Sequence, residues 1–194
     1  YYAHMFVCKN KYFLIIQSIK DIDLKNIKKR NKFSIIYRHK NNLESFSDLL
    51  DFRRFCKVKS IKFYVANNAK LAVLLNSDGI YISSFNKSLR VLLFKKPNFK
   101  LIGSAHNLKE ISLKTKQGCK LILLSKLFLV NYNKKAPFLG VVKFNNFLKI
   151  NKNLIPLGGI SLDNLNNLNN INCKGVALLS EVKKKPAKIL SRLF

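Results

Sequence analysis

The sequence predicts an α/β fold: a lean, single-domain (β/α)8 TIM barrel with parallel strands over residues 1–194. Three observations carry that expectation. Eight short runs rich in β-branched and aromatic residues recur along the chain. Each is nearly continuous in apolar character, which is how strands buried on both faces read. Stretches with helical spacing separate them, and strict alternation implies a parallel sheet with right-handed crossovers. Eight units exceed what an open flavodoxin-like sheet needs, and at 194 residues a closed barrel must keep its helices and loops short.

The strand runs are Tyr12–Ile16, Phe33–Tyr37, Ile61–Val65, Gly79–Ile82, Lys100–Ile102, Lys120–Leu124, Leu154–Leu157 and Gly175–Leu179. The first follows Lys9 and Lys11 but is short and lacks a small-residue cleavage site, so it reads as a strand and not a signal peptide. After the second run, Leu43, Phe46, Leu49, Leu50 and Arg53 step by three and four, with Glu44 and Asp48 early in the segment, where a helix favours acid. His106–Gln117 places Leu108, Ile111 and Leu113 on one side and stops at Gly118, a good C-cap residue. Ser161 reads as the N-cap of a segment carrying Leu162, Leu165 and Leu168; Asn164–Asn172 reads as a weak helix and its exit turn. Pro186–Phe194, with Ile189, Leu190, Leu193 and Phe194, reads as a terminal helix.

Composition narrows the function class. Hydrophobic residues make up 48%, including 15 Phe and 7 Tyr, so the chain can fill a core. The formal charge is +28, from 37 Lys+Arg against 9 Asp+Glu. Such a balance points to nucleic acid, an anionic membrane or phosphorylated ligands. Yet the basic residues are 31 Lys and only 6 Arg, beside 23 Asn. Nucleic-acid recognition favours the planar fork of Arg, and no aromatic residues interleave the lysine runs, so a general compositional bias explains the charge better than specific nucleic-acid binding. No apolar run approaches a membrane span. Cys8, Cys56, Cys119 and Cys173 are widely separated, which fits a reducing cytoplasm and neither a disulfide framework nor a zinc site. The first residue is Tyr, so translation is expected to start at Met5 or upstream.

In a barrel, chemistry gathers where the strands end. Arg38, His39 and Lys40 follow the second run, and strand alternation puts Arg38 and Lys40 on one face, suited to a phosphate or diphosphate. Gly158-Gly159-Ile160-Ser161 follows the seventh run; paired glycines let backbone amides approach an anion at a helix start. Leu179 and Ser180 end the eighth. Gly103-Ser104-Ala105-His106 follows the fifth, where His106 is either a general acid/base or a polar first-turn residue. Asn67, Asn68, Ser83, Ser84 and Asn86 follow the third and fourth runs and could bind the edge of a heterocycle.

Several stretches, taken in order, resemble the thiamine-phosphate synthase and thiazole tautomerase (TenI-like) family, over about residues 10–182. They are Ile36-Tyr37-Arg38-His39-Lys40, Asn76-Ser77-Asp78-Gly79-Ile80-Tyr81-Ile82, Ile102-Gly103-Ser104-Ala105-His106-Asn107 with Glu110, Leu157-Gly158-Gly159-Ile160 with Asn164, and Gly175-Val176-Ala177-Leu178-Leu179-Ser180. The resemblance implies a (β/α)8 barrel that joins hydroxymethylpyrimidine diphosphate to thiazole phosphate, with Mg²⁺ assisting diphosphate release. It implies that Arg38 and Lys40 bind the diphosphate, that Ser104 lies on the pyrimidine side, and that Gly158, Gly159, Leu179 and Ser180 form the thiazole-phosphate cup. It also marks departures. Ile36 stands where the family has a glutamine, Ala66-Asn67 where it has Asn-Asp, and Asn86 where it has a second metal-binding aspartate. Val130–Lys135 replaces a threonine-rich phosphate loop, with Lys134 standing in for its lysine by position. With both carboxylates turned to amides, the magnesium-dependent step is the one the sequence puts in question. Two further readings follow: a metal-independent isomerase of tautomerase type using His106, or a barrel that binds a phosphorylated ligand without turnover. The partners implied are phosphorylated thiazole and pyrimidine small molecules, with no specific nucleic acid and no membrane, in the cytoplasm.

Overall fold

The structure, a computed structural model, describes residues 11–27, 31–39, 44–93, 98–130, 135 and 137–179. Eight strands form a closed barrel in sequence order: β1 (Lys11–Ile16), β2 (Phe33–Tyr37), β3 (Lys62–Ala66), β4 (Gly79–Ile82), β5 (Lys100–Ala105), β6 (Leu121–Ser125), β7 (Leu154–Leu157) and β8 (Gly175–Leu178). Every neighbouring pair is parallel, and β8 closes against β1 with Lys11 opposite Gly175 and Phe13 opposite Ala177. The barrel is the architecture the apolar runs predict. One run is longer than expected: β5 continues through Gly103-Ser104-Ala105, so Ser104 sits within a strand.

Side chains alternate inward and outward, and the inward ones stack in layers from alternate strands. Phe13, Tyr64, Ile102 and Ile155 make one layer; Ile36, Tyr81, Leu123 and Ala177 the next; Ile15, Ala66 and Leu157, with Ser104, the one above. The outward residues, among them Leu14, Ile35, Phe63 and Leu124, pack against Leu49, Ile111, Phe144 and Leu148 of the surrounding helices. Two glycines allow the strands to close. A Cβ at Gly79 would lie 1.8 Å from the Lys100 carbonyl oxygen, and one at Gly175 would lie 2.3 Å from that of Lys11.

Among the described residues four α-helices cover the strands: α1 (Phe46–Val58), α2 (Ala69–Leu74), α3 (Leu108–Lys116) and α4 (Gly140–Ile150). α1 starts three residues after Leu43 because the Ser45 hydroxyl accepts the Asp48 amide at 3.1 Å and fixes the N-terminus there. α3 opens on Asn107, whose Oδ1 accepts the Glu110 amide at 3.0 Å, and is followed by Gly118 at φ 77°.

The remaining crossovers are not α-helical. Ile19–Asp21 and Leu24–Asn26 link β1 to β2, Leu89–Leu93 lies between β4 and β5, and Leu162–Asn170 between β7 and β8, all as 3₁₀ turns. The expected helix after Ser161 is therefore a 3₁₀ segment. Its leucines recur at every third position, the 3₁₀ period, and its asparagines are weak α-helix formers. The expected terminal helix, Pro186–Phe194, lies outside the described residues. No helix among the described residues is long and apolar enough to cross a membrane.

One contact ties the approach to the upper end of the barrel. The Tyr37 hydroxyl, on the outer face of β2, donates to Glu44 just before α1, and Glu44 also accepts the Ile19 amide at 3.0 Å. Burial pushes the Glu44 carboxyl up, but hydrogen bonds from Tyr37, Ser18 and Ile19 outweigh it and hold it below its usual value. A depressed folded pKa contributes stability above the ordinary value and loses it as the pH falls through the depressed one. Glu44→Gln is expected to cost about 1–3 kcal/mol at neutral pH. The gap from wild type should close in acid, as read by urea denaturation at both pH values.

Candidate functional site

The site lies at the end of the barrel where the strands finish. The top inward layer places Arg38, Ser83 and Leu179 just after β2, β4 and β8 and Ser125 at the end of β6, with His106 and the Gly158-Gly159 turn above it. Arg38 is exposed, and its amide donates to the Ile16 carbonyl at 2.8 Å, which holds the chain beside β1 as it leaves the sheet. Beneath it, the Tyr81 hydroxyl hydrogen-bonds with the buried Ser104 side chain. Burial raises the Tyr81 pKa; the Ser104 bond and the Arg38 charge oppose that rise without cancelling it. Arg38, Tyr81 and Ser104 thus connect β2, β4 and β5 across the mouth.

Asn67 is the hub of the next corner. It sits at φ 55°, a left-handed position that asparagine tolerates. Its Oδ1 accepts the Ser83 amide at 3.0 Å, the Ser83 hydroxyl at 2.9 Å and the Asn86 amide group at 3.4 Å. Asn86 is held from behind. The buried Lys114 Nζ donates to the Asn86 carbonyl at 2.6 Å and to Gln117 Oε1 at 2.9 Å. Gln117 Nε2 donates to the same carbonyl at 3.0 Å and to that of Ser88 at 2.8 Å. Lys114 passes over the bare Cα of Gly103, where a Cβ would lie 3.0 Å from its own.

Magnesium needs hard, charged oxygens. Here the amide oxygen of Asn67 already receives three donors, and that of Asn86 takes the Ser88 amide at 3.1 Å. Among the described residues no group of His, Cys, Asp and Glu could hold a metal ion. This donor set does not fit a protein-held Mg²⁺. The thiols are set apart from such chemistry too: burial pushes Cys56 and Cys119 up to about 12.

His106 is half-exposed at the rim. Its Nδ1 lies 3.0 Å from Glu110 Oε2, and its amide donates to the same oxygen at 2.8 Å. Burial raises the Glu110 carboxyl, and the His106 amide and ring with Asn107 lower it further, to a net depression. Glu110 orients the ring, and it also caps α3.

The Gly158-Gly159 turn is fastened on both sides. The Gly158 carbonyl accepts the Phe128 amide at 3.0 Å, and the Gly159 carbonyl accepts Asn164 Nδ2 at 2.7 Å. Both glycines have positive φ, 91° and 71°, and a Cβ on Gly159 would lie 2.4 Å from the Phe128 carbonyl oxygen. The amides of Gly159 and Ile160 make no backbone hydrogen bond among the described residues. Leu179 packs against the barrel interior beside this turn. Lys40, Lys134 and Ser180 lie outside the described residues.

The structure therefore brings Arg38, Asn67, Ser104, His106, Gly158, Gly159 and Leu179 to one end of the barrel. Two surface cavities, of about 530 and 660 Å³, lie elsewhere: one between α4 and Asn170–Lys174, the other between the 3₁₀ turns after β1 and α1. Sequence reasoning did not single out Tyr81 or the Lys114–Gln117 clamp as site residues. Tyr81 was findable, because it shares the inward parity of Ser83. Lys114 was not, because a lysine in an amphipathic helix gives no sign that it is buried.

Comparison with known proteins agrees with this geometry. The family model described as thiamine monophosphate synthase matches residues 12–182. A thiamine-phosphate synthase of Prochlorococcus marinus is 26% identical over 152 residues, 76% of this chain and 44% of the relative. One from Flavobacterium psychrophilum is 24% identical over 165 residues, covering 80% of this chain and 79% of its own. The chain thus spans less than half the length of the first of these. Among solved structures, a thiamine phosphate pyrophosphorylase from Pyrococcus furiosus superposes with a TM-score of 0.77 at 18% identity, covering 97% of this chain and 95% of that one. KGPDC from Streptococcus mutans gives 0.66 at 8%, over 95% of each chain, and both likenesses speak for the barrel alone. On the match across residues 12–182, this chain belongs to the thiamine monophosphate synthase family.

Proposed function

We propose that this chain works in thiamine biosynthesis as a barrel of thiamine-phosphate synthase type. The observation that carries the reading is the Gly158-Gly159 turn. It holds two amides, at Gly159 and Ile160, that no described backbone carbonyl engages, at the barrel mouth across from Arg38, Tyr81 and Ser104. These amides suit the phosphate of a thiazole phosphate. Arg38 suits the diphosphate of the pyrimidine partner, where it would stabilise charge as the bond from methylene carbon to oxygen breaks and the thiazole nitrogen takes that carbon. Tyr81 and Ser104 set the floor beneath the pyrimidine. Asn67, Ser83 and Asn86 present polar groups where the family carries carboxylates, so the protein itself supplies little to hold a metal with the diphosphate.

The test is formation of thiamine phosphate from the two substrates with Mg²⁺. Arg38→Ala is expected to reduce the rate by about two orders of magnitude. Asn67→Asp with Asn86→Asp is expected to raise the rate and make it depend more steeply on Mg²⁺. If wild type forms no product while a synthase control does, the reading gives way to a ligand-binding barrel. That role would appear as a rise in melting temperature with thiazole phosphate.

A second reading rests on the His106–Glu110 contact, which fixes Nδ1 and leaves Nε2 for a substrate proton. Loss of thiazole tautomer conversion in His106→Ala supports it, and unchanged conversion removes His106 from the chemistry.

The glycine turn makes its own prediction. Gly159→Ala forces a left-handed alanine against a carbonyl oxygen and is expected to cost at least about 2 kcal/mol in stability. It should also abolish thiazole-phosphate binding by calorimetry, whereas an alanine at Gly140, the first residue of α4, carries the same left-handed strain (φ 70°) but should spare binding, because its Cβ meets nothing within 4 Å.

A further inference from the structure

The opposite end of the barrel carries a second cationic site. The lowest inward layer comes from the starts of the odd strands: Lys11 on β1, Lys62 on β3 and Lys100 on β5, with Asn153 just before β7. The register fixes their direction. Lys11 pairs with Gly175, Lys62 with Ser34 and Lys100 with Gly79, all inward positions. Two residues further along each strand, Phe13, Tyr64 and Ile102 fill the interior. The three lysines therefore stand at one level on alternate strands, at inward register positions, and are exposed at the open barrel end. The layer above them is small, with Ser34, Gly79 and Gly175, and the two glycines cannot be enlarged because the neighbouring backbone lies against them.

This arrangement is unfavourable as it stands. Burial together with the Lys100 and Lys11 charges pushes Lys62 down from its ordinary value, and the Asp78 charge offsets only part of that. The nearest carboxylate, Asp78, is already engaged: it accepts the Phe63 amide at 2.8 Å and pairs with Arg53 at 3.2 Å. Asn153 Oδ1 is taken by Lys174 Nζ at 2.7 Å. Like charges held together on rigid strand ends, with no free carboxylate beside them among the described residues, call for a multivalent anion. Phosphoryl oxygens match three ammonium donors. Because the three lysines ring one barrel end and do not line a track, the ligand is compact and not a polynucleotide, whose backbone needs an extended groove.

We propose that Lys11, Lys62 and Lys100 form a binding site for a small oligophosphate at the N-terminal end of the barrel, separate from the mouth. The proposal does not depend on the function assigned to that mouth. The probe is inorganic diphosphate on the full chain, followed by calorimetry and by protection of lysines from an amine-acylating reagent. Diphosphate is expected to protect Lys62 and Lys100 in wild type and equally in Arg38→Gln, which alters only the other end. Lys62→Gln with Lys100→Gln is expected to weaken this binding by about tenfold. Lys109→Gln with Lys116→Gln removes the same charge from the exposed surface of α3 and should change it by less than about twofold. Equal weakening in both double variants, or no protection of Lys62 and Lys100 in wild type, overturns the site in favour of general attraction to a basic protein. Protection by a single-stranded oligonucleotide and not by diphosphate overturns it in favour of nucleic acid. The protection experiment uses wild type, so it decides the matter even where the double variant does not fold.

Discussion

Closure of eight parallel strands around a filled interior is the constraint on which everything else rests. Alternate strands must deliver side chains of the right size to the same height, and neighbouring backbones must approach closely enough to pair. Gly79 and Gly175 meet the second demand, each lying under a carbonyl oxygen of the next strand. The layers built on Phe13, Ile36 and Ile15 meet the first. Because the interior is packed solid, ligands are confined to the two ends. Each end is then defined by the residues one step beyond the last apolar layer: Arg38, Ser83 and Leu179 above, Lys11, Lys62 and Lys100 below.

The mouth is polar but poor in charge. Its donors and acceptors are mostly neutral groups bound to one another, with Asn67 accepting from both Ser83 and Asn86. Such a network holds its shape without a metal, since each amide oxygen already has donors. The price is loss of the negative field that would attract one. Behind it, the Lys114–Gln117 clamp fixes the Asn86 loop through backbone carbonyls, so the loop's position does not depend on which side chain stands at 86.

The net charge of +28 is spread unevenly in its consequences. Much of the excess lysine lies on exposed helix faces, where water screens it. At the strand starts it is aimed inward, and there the same residue type acquires neighbours of like sign. The carboxylates are tied up as local fasteners: Glu44 joins Tyr37 to Ile19, Asp78 joins Arg53 to Phe63, and Glu110 joins His106 to its own helix. With only 9 acids in the chain, Glu44, Asp78 and Glu110 serve the scaffold and not a metal.

By itself the sequence determined the barrel. Eight apolar runs of strand length in strict alternation with helical spacing leave few other ways to bury them, and the strand ends could be located from where each run stops. It placed Arg38, Ser104, His106 and the glycine pair at one end of the barrel for the same reason. It could not separate α from 3₁₀ in the crossovers, because both bury a leucine every three or four residues and only the hydrogen-bond pattern distinguishes them. Tertiary structure alone decided which lysines matter. A lysine looks the same in sequence whether it lies in solvent, as Lys109 does, is buried behind a loop, as Lys114 is, or stands at the open barrel end, as Lys62 does. That distinction depends on strand register and on what the neighbouring strands leave unfilled, and both arise only when the barrel closes.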